Sequence, residues 1–238
     1  MEYALVTAST AGIGYAVAER LLREGYFCFI NYANNDMRAQ AALEQLSGIS
    51  RNVKIIKSDL SHMEGVEEIH KNIGDVKIKH LVLNCGVTDK SPFKEITPDN
   101  WNNVIKTNVT IPFFLMQRLY DNIHEEGSVV LISSILSRYP HAMSISYGVS
   151  KAALNALCQN MVKVFAEKKI RINALEPGFV NTDWQMDKPS EHRLRIRNKI
   201  ALERFAEPDE IADICFRVLD NTYINGAVIP VCGGYNMV

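Results

Sequence analysis

The chain has 238 residues, a formal net charge of −1 and 47% hydrophobic residues, which suits one α/β domain with a sizeable core. The near-neutral charge gives no reason to expect nucleic acid or an anionic membrane as a partner. No apolar run is long enough to span a bilayer, and no signal peptide is predicted before the first strand. Five scattered cysteines without zinc-like or redox-like spacing predict a reduced, cytoplasmic protein without a metal site.

Strand-like apolar runs alternate along the chain with helix-like segments. The predicted strands cover residues 3–7, 26–32, 53–57, 80–84, 129–133, 170–175 and 227–231. Helix-like segments lie near 13–24, 36–46, 64–73, 98–122, 145–168 and 208–219, and Gly25 follows the first of them as a helix stop. Continuous apolar strands alternating with helices predict a parallel sheet covered by helices on both faces. No linker or repeat interrupts the pattern, so we predict one domain over 1–238.

The stretch 183–207 departs from this pattern because it is polar, charged and only weakly periodic. It is either a solvated surface excursion or a lid over a pocket. Long irregular inserts in compact domains are often functional, which favours the lid.

Residues 7–14, Thr-Ala-Ser-Thr-Ala-Gly-Ile-Gly, follow the first predicted strand and open the first helix. A helix N-terminus there offers N–H groups and a positive dipole end to a pyrophosphate. Gly12 would let the backbone approach the phosphate, and Gly14 would allow close helix–strand packing. Ala8 replaces the glycine of the tight turn, which is acceptable if its φ is negative. Taken alone, the segment is equally compatible with an ordinary strand–helix turn.

Four polar residues further along suit the transfer of a proton to a carbonyl group. Tyr147 and Lys151 stand four residues apart on one helix face, Ser134 ends an apolar strand, and Asn108 lies in an amphipathic helix. A tyrosine with a pKa of roughly 10 is poorly matched to neutral pH, and a nearby lysine cation lowers that pKa. The serine hydroxyl can hold the carbonyl oxygen, and the asparagine can anchor a water that returns protons to the lysine. Taken singly, each residue could instead be purely structural.

In order along the chain, these segments resemble the short-chain dehydrogenase/reductase family over essentially the whole length. Residues 7–14 resemble its TGxxxGIG loop, 83–86 resemble its NNAG segment with departures at Leu83 and Cys85, and 177–182 resemble its PGxxxT segment. Asn108, Ser134, Tyr147 and Lys151 match the family's catalytic tetrad. The resemblance implies a Rossmann-type, doubly wound sheet of seven mostly parallel strands and hydride transfer between a nicotinamide and a carbonyl/alcohol pair. The implied cofactor contacts are Thr7, Ser9, Thr10, Gly12, Ile13, Gly14, Asn31, Tyr32, Asp59, Leu60, Asn84, Cys85, Gly86, Tyr147, Lys151, Pro177, Gly178, Val180 and Thr182.

We predict NADP(H) rather than NAD(H) as the cofactor. NAD-selective relatives place an acidic residue at the end of the second strand, where it binds the ribose 2′-hydroxyl. Here the strand ends Asn-Tyr-Ala-Asn-Asn, with no carboxylate before Asp36. A 2′-phosphate could instead receive hydrogen bonds from Asn31, Asn34, Ser9 or Arg38.

The predicted activity is a ketone reductase similar to β-ketoacyl reductases, acting on a small-molecule carbonyl. The alternatives are an alcohol dehydrogenase working oxidatively on a hydroxysteroid or sugar-like alcohol, and a dinucleotide-binding sensor without turnover. Candidate substrate contacts are Arg138, which could bind a carboxylate or be a solvated cation, Tyr139, and Trp184, which could line the pocket or pin the lid.

An acyl carrier protein is a possible partner but is disfavoured. Related reductases commonly carry basic residues just before strand five, whereas this chain has Glu125 and Glu126 there. The resemblance also implies a homotetramer or homodimer built through the helices near 98–122 and 145–168.

Overall fold

The computed structural model describes residues 1–140, 144–186 and 188–237. Seven strands form one sheet in the order β3-β2-β1-β4-β5-β6-β7, and neighbouring strands run parallel. The predicted doubly wound fold is therefore confirmed. The strand order reverses between β1 and β4, which opens a crevice at the carboxyl ends of the strands. The strands are β1 (Tyr3–Val6), β2 (Phe27–Tyr32), β3 (Val53–Lys57), β4 (Ile78–Leu83), β5 (Ile123–Ile132), β6 (Arg171–Pro177) and β7 (Val228–Val231).

The helices follow the predicted segments closely, with one exception. The segment predicted near 98–122 is two helices joined by a π-helical turn at 106–110. The helices are α1 (Gly12–Arg23), α2 (Asp36–Ile49), α3 (Met63–Ile73), α4 (Pro98–Ile105), α5 (Ile111–Arg118), α6 (Ile145–Phe165), α7 (Asp183–Met186), α8 (Ser190–Arg197) and α9 (Pro208–Asp220).

Alternate residues of the central strands feed two apolar layers, one on each face of the sheet. On β1, Leu5 packs in the layer that includes residues of α3, α5 and α6, whereas Ala4 and Val6 pack in the layer that includes residues of α1 and α9. On β5, Val129 and Val130 divide in the same way. Burial on both faces explains why the strands are continuously apolar rather than alternating.

The segment 183–207 is more ordered than its sequence pattern indicated. It contains α7 and α8, and its second half supplies Ile196, Ile200 and Phe205 to a third apolar cluster with Phe179 and Tyr235. The segment is therefore not a solvated excursion throughout, because buried side chains fix its second half to the body of the protein.

Within the described ranges, no helix is both long enough and apolar enough to cross a bilayer. The same residues hold no group of three or more histidine, cysteine or acidic side chains placed to bind a metal ion. The five cysteines are free thiols.

Burial of His80 on β4 makes the stability of the fold depend on pH. The ring is 2% exposed, its Nε2 lies 3.0 Å from the Tyr26 hydroxyl, and its Nδ1 has no partner among the described residues. Burial, reinforced by the Lys79 and Arg171 cations, lowers the pKa of His80 to about 3. An unfolded histidine binds a proton below pH about 6.5, so the folded state loses stability as the pH falls from there towards about 3.

We therefore expect His80→Gln to reduce this acid sensitivity. Between about pH 7 and about pH 5, wild type should lose about 2 kcal/mol more unfolding free energy than His80→Gln. Urea unfolding at both pH values measures the difference, and carboxylates common to the two proteins cancel. Parallel losses in the two proteins would show that His80 is not held neutral by the fold.

Candidate active site

The loop between β1 and α1 carries a strained alanine. Ala8 has φ +49°, so the expectation of a negative φ at this position is wrong. Its N–H donates to Asn31 Oδ1 at 3.1 Å, and its carbonyl accepts from Asn84 Nδ2 at 3.0 Å. These bonds from the ends of β2 and β4 hold the left-handed conformation, which costs a residue with a Cβ about 1–2 kcal/mol.

We expect Ala8→Gly to stabilise the protein by about 1 kcal/mol, because glycine adopts this conformation without the steric penalty. Chemical denaturation of the purified variant measures the gain. Ala166→Gly is the matched control, since Ala166 has φ −60° at an exposed helix end, and glycine there should destabilise by roughly 0.5–1 kcal/mol. A loss of stability in Ala8→Gly would contradict the strain assigned to this turn.

Three of the predicted cofactor contacts instead build the loop. Thr7 Oγ1 accepts the N–H groups of Asn84 and Cys85 at 2.9 and 3.1 Å, which ties the end of β1 to the end of β4. Ser9 Oγ donates to Val6 and accepts the N–H of Asn31. The Asn31 amide group donates to carbonyls of 32, 56 and 58. Since these polar atoms are occupied, none of the three is placed to bind the 2′-phosphate.

The two glycines of the loop lie where a side chain would not fit or would be strained. A Cβ on Gly14 would lie 2.4 Å from the Ala8 carbonyl and 2.6 Å from Asn84 Nδ2, so only glycine permits this helix–strand contact. Gly12 has φ +55°, and a Cβ there would face Thr182 at 3.1 Å. The loop and the first turn of α1 therefore offer bare backbone to the crevice, which fits a dinucleotide phosphate.

A cavity of about 710 Å³ occupies the crevice at the carboxyl ends of the strands. It brings together much of the predicted cofactor set, namely Thr10, Gly12, Ile13, Tyr32, Asn84, Gly86, Pro177, Gly178, Val180 and Thr182, with Ser134, Tyr147 and Lys151. The remaining predicted contacts, Thr7, Ser9, Gly14, Asn31, Asp59, Leu60 and Cys85, do not line it. Asp59 accepts hydrogen bonds from Ser61, and Leu60 is a core residue.

Tyr147, Lys151 and Ser134 meet at the wall of this cavity. Tyr147 and Lys151 lie one turn apart on α6, and Lys151 Nζ is 5.5 Å from the Tyr147 ring centroid. Lys151 is 3% exposed, and its ammonium donates to the Ile132 carbonyl at 2.7 Å. Ser134 lies two residues after the end of β5 and faces the Tyr147 phenol. The arrangement places a proton donor, a cation and a hydroxyl group around one space.

Burial dominates the pKa values of this pair. It raises the pKa of Tyr147 to about 12 against the opposing effect of the Ser134 hydroxyl. It also lowers the pKa of Lys151 to about 8, with the nearby Cys85 side chain acting in the opposite direction. The sequence predicts a tyrosine pKa lowered by Lys151, and the structure contradicts this because desolvation by burial outweighs the lowering effect of the Ser134 hydroxyl. The phenol is therefore protonated at neutral pH.

Asn108 lies in the π-helical turn and is fully buried. Its Nδ2 donates to the Val87 carbonyl and to Ser150 Oγ, both at 2.9 Å, and its Oδ1 accepts the Val87 N–H at 2.8 Å. Ser150 in turn donates to the Tyr147 carbonyl. Both amide hydrogens are used, so the side chain cannot donate to the predicted relay water. Asn108 also ties the segment after β4 to the turn of α6 that carries Tyr147.

Charged groups surround the end of β2. The Asp36 carboxylate accepts from the Tyr32 hydroxyl at 2.8 Å and pairs with Lys57 at 2.8 Å. Arg38 lines the cavity and pairs with Asp183 of α7 at 3.5 Å. The first carboxylate after β2 is thus neutralised by a lysine, while an arginine reaches the cavity.

Arg138 belongs to a buried network and not to the cavity wall. The fully buried Glu176 of β6 accepts hydrogen bonds from Arg138 Nε, Ser137 Oγ and Asn155 Nδ2, the last at 2.7 Å. Arg138 does not line the cavity, and although its side chain is half exposed it is more than a solvated cation, because its charge compensates a buried carboxylate. The network joins α6 to the loop that follows Ser134. The sequence signal for this network was the charged Glu176 within the mostly apolar run Ile-Asn-Ala-Leu-Glu-Pro.

The two predicted aromatic contacts have different positions. Tyr139 packs edge-on against Tyr235, with ring centroids 5.7 Å apart, and does not line the cavity. Trp184 does line it, with its ring centroid 5.9 Å from that of Tyr147. Trp184 thus brings the lid segment directly over the predicted proton donor.

The acidic pair before strand five lies far from this site. Glu125 and Glu126 are within the first half of β5, and Glu126 pairs with Lys169 at 3.5 Å. The strand from Ser128 to Ile132 spans about 13 Å before it reaches the cavity end of the sheet. The premise that these carboxylates flank the entrance of this subunit's site is therefore wrong, and they give no ground for excluding a carrier there.

The comparison with known proteins agrees with the geometry of the site. The model of a family described as short chain dehydrogenase matches residues 2–193. The chain belongs to the short-chain dehydrogenase/reductase family. It is 34% identical over 236 residues to acetoacetyl-CoA reductase of Rhizobium meliloti, covering 97% of each chain. It is 30% identical to the 3-oxoacyl-[acyl-carrier-protein] reductase of Aquifex aeolicus, covering 97% of this chain and 95% of that protein.

A solved relative of this short-chain dehydrogenase/reductase shares its architecture throughout. The angucycline C-6 ketoreductase LanV with bound NADP superimposes with a TM-score of 0.93 at 26% identity, covering 100% of this chain and 96% of the other. The chain is thus an oxidoreductase of this family with relatives of the ketoreductase type.

Proposed function

We propose that the protein is an NADP(H)-dependent ketone reductase of the 3-oxoacyl reductase type. The observation that carries the proposal is the placement of Tyr147 and Lys151 in the same cavity as the glycine-rich loop. The names of the two reductase relatives support a substrate with a carbonyl group.

The chain's own residues would manage the proton and the substrate oxygen. A bound nicotinamide supplies the hydride to the carbonyl carbon. Tyr147 donates its phenolic proton to the carbonyl oxygen, and Ser134 holds that oxygen beside the phenol. Lys151 binds the nicotinamide ribose and stabilises the phenolate left by proton transfer. Asn108 positions the turn of α6 that carries the donor.

Reduction uses the protonated phenol of Tyr147 as its acid, whereas oxidation of an alcohol needs the phenolate as its base. Burial raises the pKa of Tyr147 to about 12, so the phenol is protonated at neutral pH. This protonation state supports the reductase over the oxidative alcohol dehydrogenase. The same donor geometry argues against a dinucleotide sensor without turnover.

Cofactor binding would use the first turn of α1 for the pyrophosphate and Arg38 for the 2′-phosphate. Arg38 is the cation that lines the cavity next to 32–35 at the end of β2, and the Asp36 carboxylate is paired with Lys57. NADP bound to a ketoreductase of the same fold is consistent with this choice.

We expect kcat/KM to be higher with NADPH than with NADH, and Arg38→Leu to reduce the NADPH value about tenfold with little effect on NADH. Arg51→Leu is the control, since this exposed residue precedes β3, at the amino end of that strand, and does not line the cavity. Steady-state rates with each cofactor and one small 3-oxo ester give the comparison. Equal or better efficiency with NADH in wild type would overturn the assignment.

We further propose a single catalytic domain over 1–238 that works in the cytoplasm, consistent with five thiols of which three are buried. Assembly as a homotetramer or homodimer would use α4, α5 and α6, where Ala152 and Ala156 are exposed and would allow close helix contact. The partner is a small-molecule carbonyl or alcohol, and a carrier-bound acyl group remains a second form of the same substrate.

A further inference from the structure

Two lysines that line the cavity have no assigned role in the reaction. The lining includes four lysine and arginine side chains. Arg38 pairs with Asp183, and Lys151 stands beside Tyr147. Lys90, which follows β4, and Lys188, which lies between α7 and α8, remain.

These two lysines belong to a group of three cations on the lid side of the cavity. Gln185 holds Lys188 through its side-chain oxygen and holds Arg193 through its carbonyl at 2.9 Å. Lys188 Nζ also lies 5.8 Å from the Phe179 ring centroid, so its stem rests on an apolar wall. Burial, followed by the charges of Lys90 and Arg193, lowers the pKa of Lys188.

Two described acidic residues close to these lysines in the chain have other partners. Asp183 pairs with Arg38, and Asp89 Oδ1 accepts the N–H and hydroxyl of Ser91 at 3.0 and 2.6 Å. Asp89 Oδ2 is buried without a hydrogen-bond partner among the described residues. Across residues 1–140, 144–186 and 188–237, no carboxylate forms an ion pair with Lys90, Lys188 or Arg193. Like charges held together in a partly buried cleft are unfavourable unless an anion joins them.

We propose that Lys90 and Lys188, supported by Arg193, form a subsite for an anionic group, a carboxylate or a phosphate, on the carbonyl substrate. The inference rests on the proposed reductase function. Lys188 lies four residues after Trp184, and the Trp184 ring packs against Tyr147. The anionic group of the substrate would therefore lie on the lid side of the carbonyl that Tyr147 protonates. The cofactor phosphates are assigned to other residues of the cavity, Gly12 and Arg38.

Two matched substrate pairs, each differing chiefly by an anionic group, test the subsite. One pair is a 3-oxo acid and its methyl ester, and the other is an acetoacetyl thioester of 4′-phosphopantetheine and of pantetheine. We expect Lys188→Met and Lys90→Met each to reduce kcat/KM for the anionic member about tenfold, mainly through KM, and to leave the neutral member unchanged. Methionine retains the apolar stem against Phe179.

The control variant is Lys94→Met, an exposed residue outside the cavity, which should alter neither pair. An effect confined to the 3-oxo acid identifies the substrate's own carboxylate, and one confined to the phosphopantetheine thioester identifies the phosphate of a carrier arm. Equal losses for charged and neutral members would overturn the proposal. Weakened NADPH binding in Lys188→Met, measured without substrate, would overturn it too by assigning the cations to the cofactor.

The subsite is separable from the reductase function by binding alone. If no ketone is reduced, the proposed function fails, and calorimetric titration of the NADP⁺ complex with a 3-hydroxy acid and its methyl ester still decides the subsite. Tighter binding of the acid that is lost in Lys188→Met would support it. Equal affinities of wild type for acid and ester would reject it.

Discussion

Tyr147→Phe should lower kcat for ketone reduction by at least about 10²-fold, because it removes the proton donor and nothing else. The phenylalanine ring keeps the contact with Trp184, whose centroid is 5.9 Å away. NADPH affinity, measured by fluorescence titration of the protein without substrate, should remain near the wild-type value. A loss of turnover with intact cofactor binding is the signature of a missing acid.

Tyr139→Phe is the matched control for this variant. It removes the same oxygen from a tyrosine that packs on Tyr235 outside the cavity, so its activity should equal that of wild type. Near-normal turnover in Tyr147→Phe would remove this residue from the mechanism and would leave the raised pKa of its phenol without a catalytic meaning.

Arg138→Met should destabilise the protein by about 2–3 kcal/mol, because it leaves the fully buried Glu176 carboxylate without its cation. The value lies below that of a wholly buried pair because the Arg138 side chain is half exposed. Glu176→Gln should cost only about 1 kcal/mol, since it removes the buried charge and keeps hydrogen-bonding groups for Ser137 and Asn155. Urea unfolding of both variants gives this order.

Arg118→Met provides the surface comparison. Arg118 pairs with Glu67 at 2.9 Å, and both side chains are largely exposed, so the loss should stay below about 1 kcal/mol. The Glu176 network also holds the loop after Ser134, and Arg138→Met should therefore raise KM for the ketone as well. If Arg138→Met loses no more unfolding free energy than Arg118→Met, Arg138 does not compensate a buried charge on Glu176.

The fold could be predicted from the sequence because burial on both faces leaves a signal in each strand. The apolar runs of β1 to β4 and β7 were placed within about two residues of their bounds. β5 was the exception, since it begins at Ile123 and not at 129. His124, Glu125 and Glu126 in its first half are exposed and carry no apolar signal. The residues of the π-helical turn at 106–110 do not differ in type from those of an ordinary helix. Hydrophobic periodicity therefore could not distinguish this turn from a continuous helix.

The site was predictable in composition and less so in detail. Tyr147, Lys151 and Ser134 were found because residue spacing and strand ends fix where they lie. The hydrogen bonds of Ser9, Asn31 and Asn108 were not predicted. They join side chains to backbone atoms that are distant in the sequence, and no local sequence pattern indicates such bonds. Arg138 and its partner Glu176 are likewise 38 residues apart in the sequence. Lys90 and Lys188 are also far apart in the sequence and come to the same cavity only in the folded protein.

The most direct test of the reductase assignment is the consumption of NADPH, followed by its absorbance, across a panel of small and medium ketones with the wild-type protein and Tyr147→Phe. We expect wild type to oxidise NADPH in equal measure with the alcohol it forms, to do so faster than with NADH, and to lose this activity in the variant. Tight NADPH binding without alcohol formation from any ketone of the panel would contradict the account and favour a dinucleotide-binding sensor.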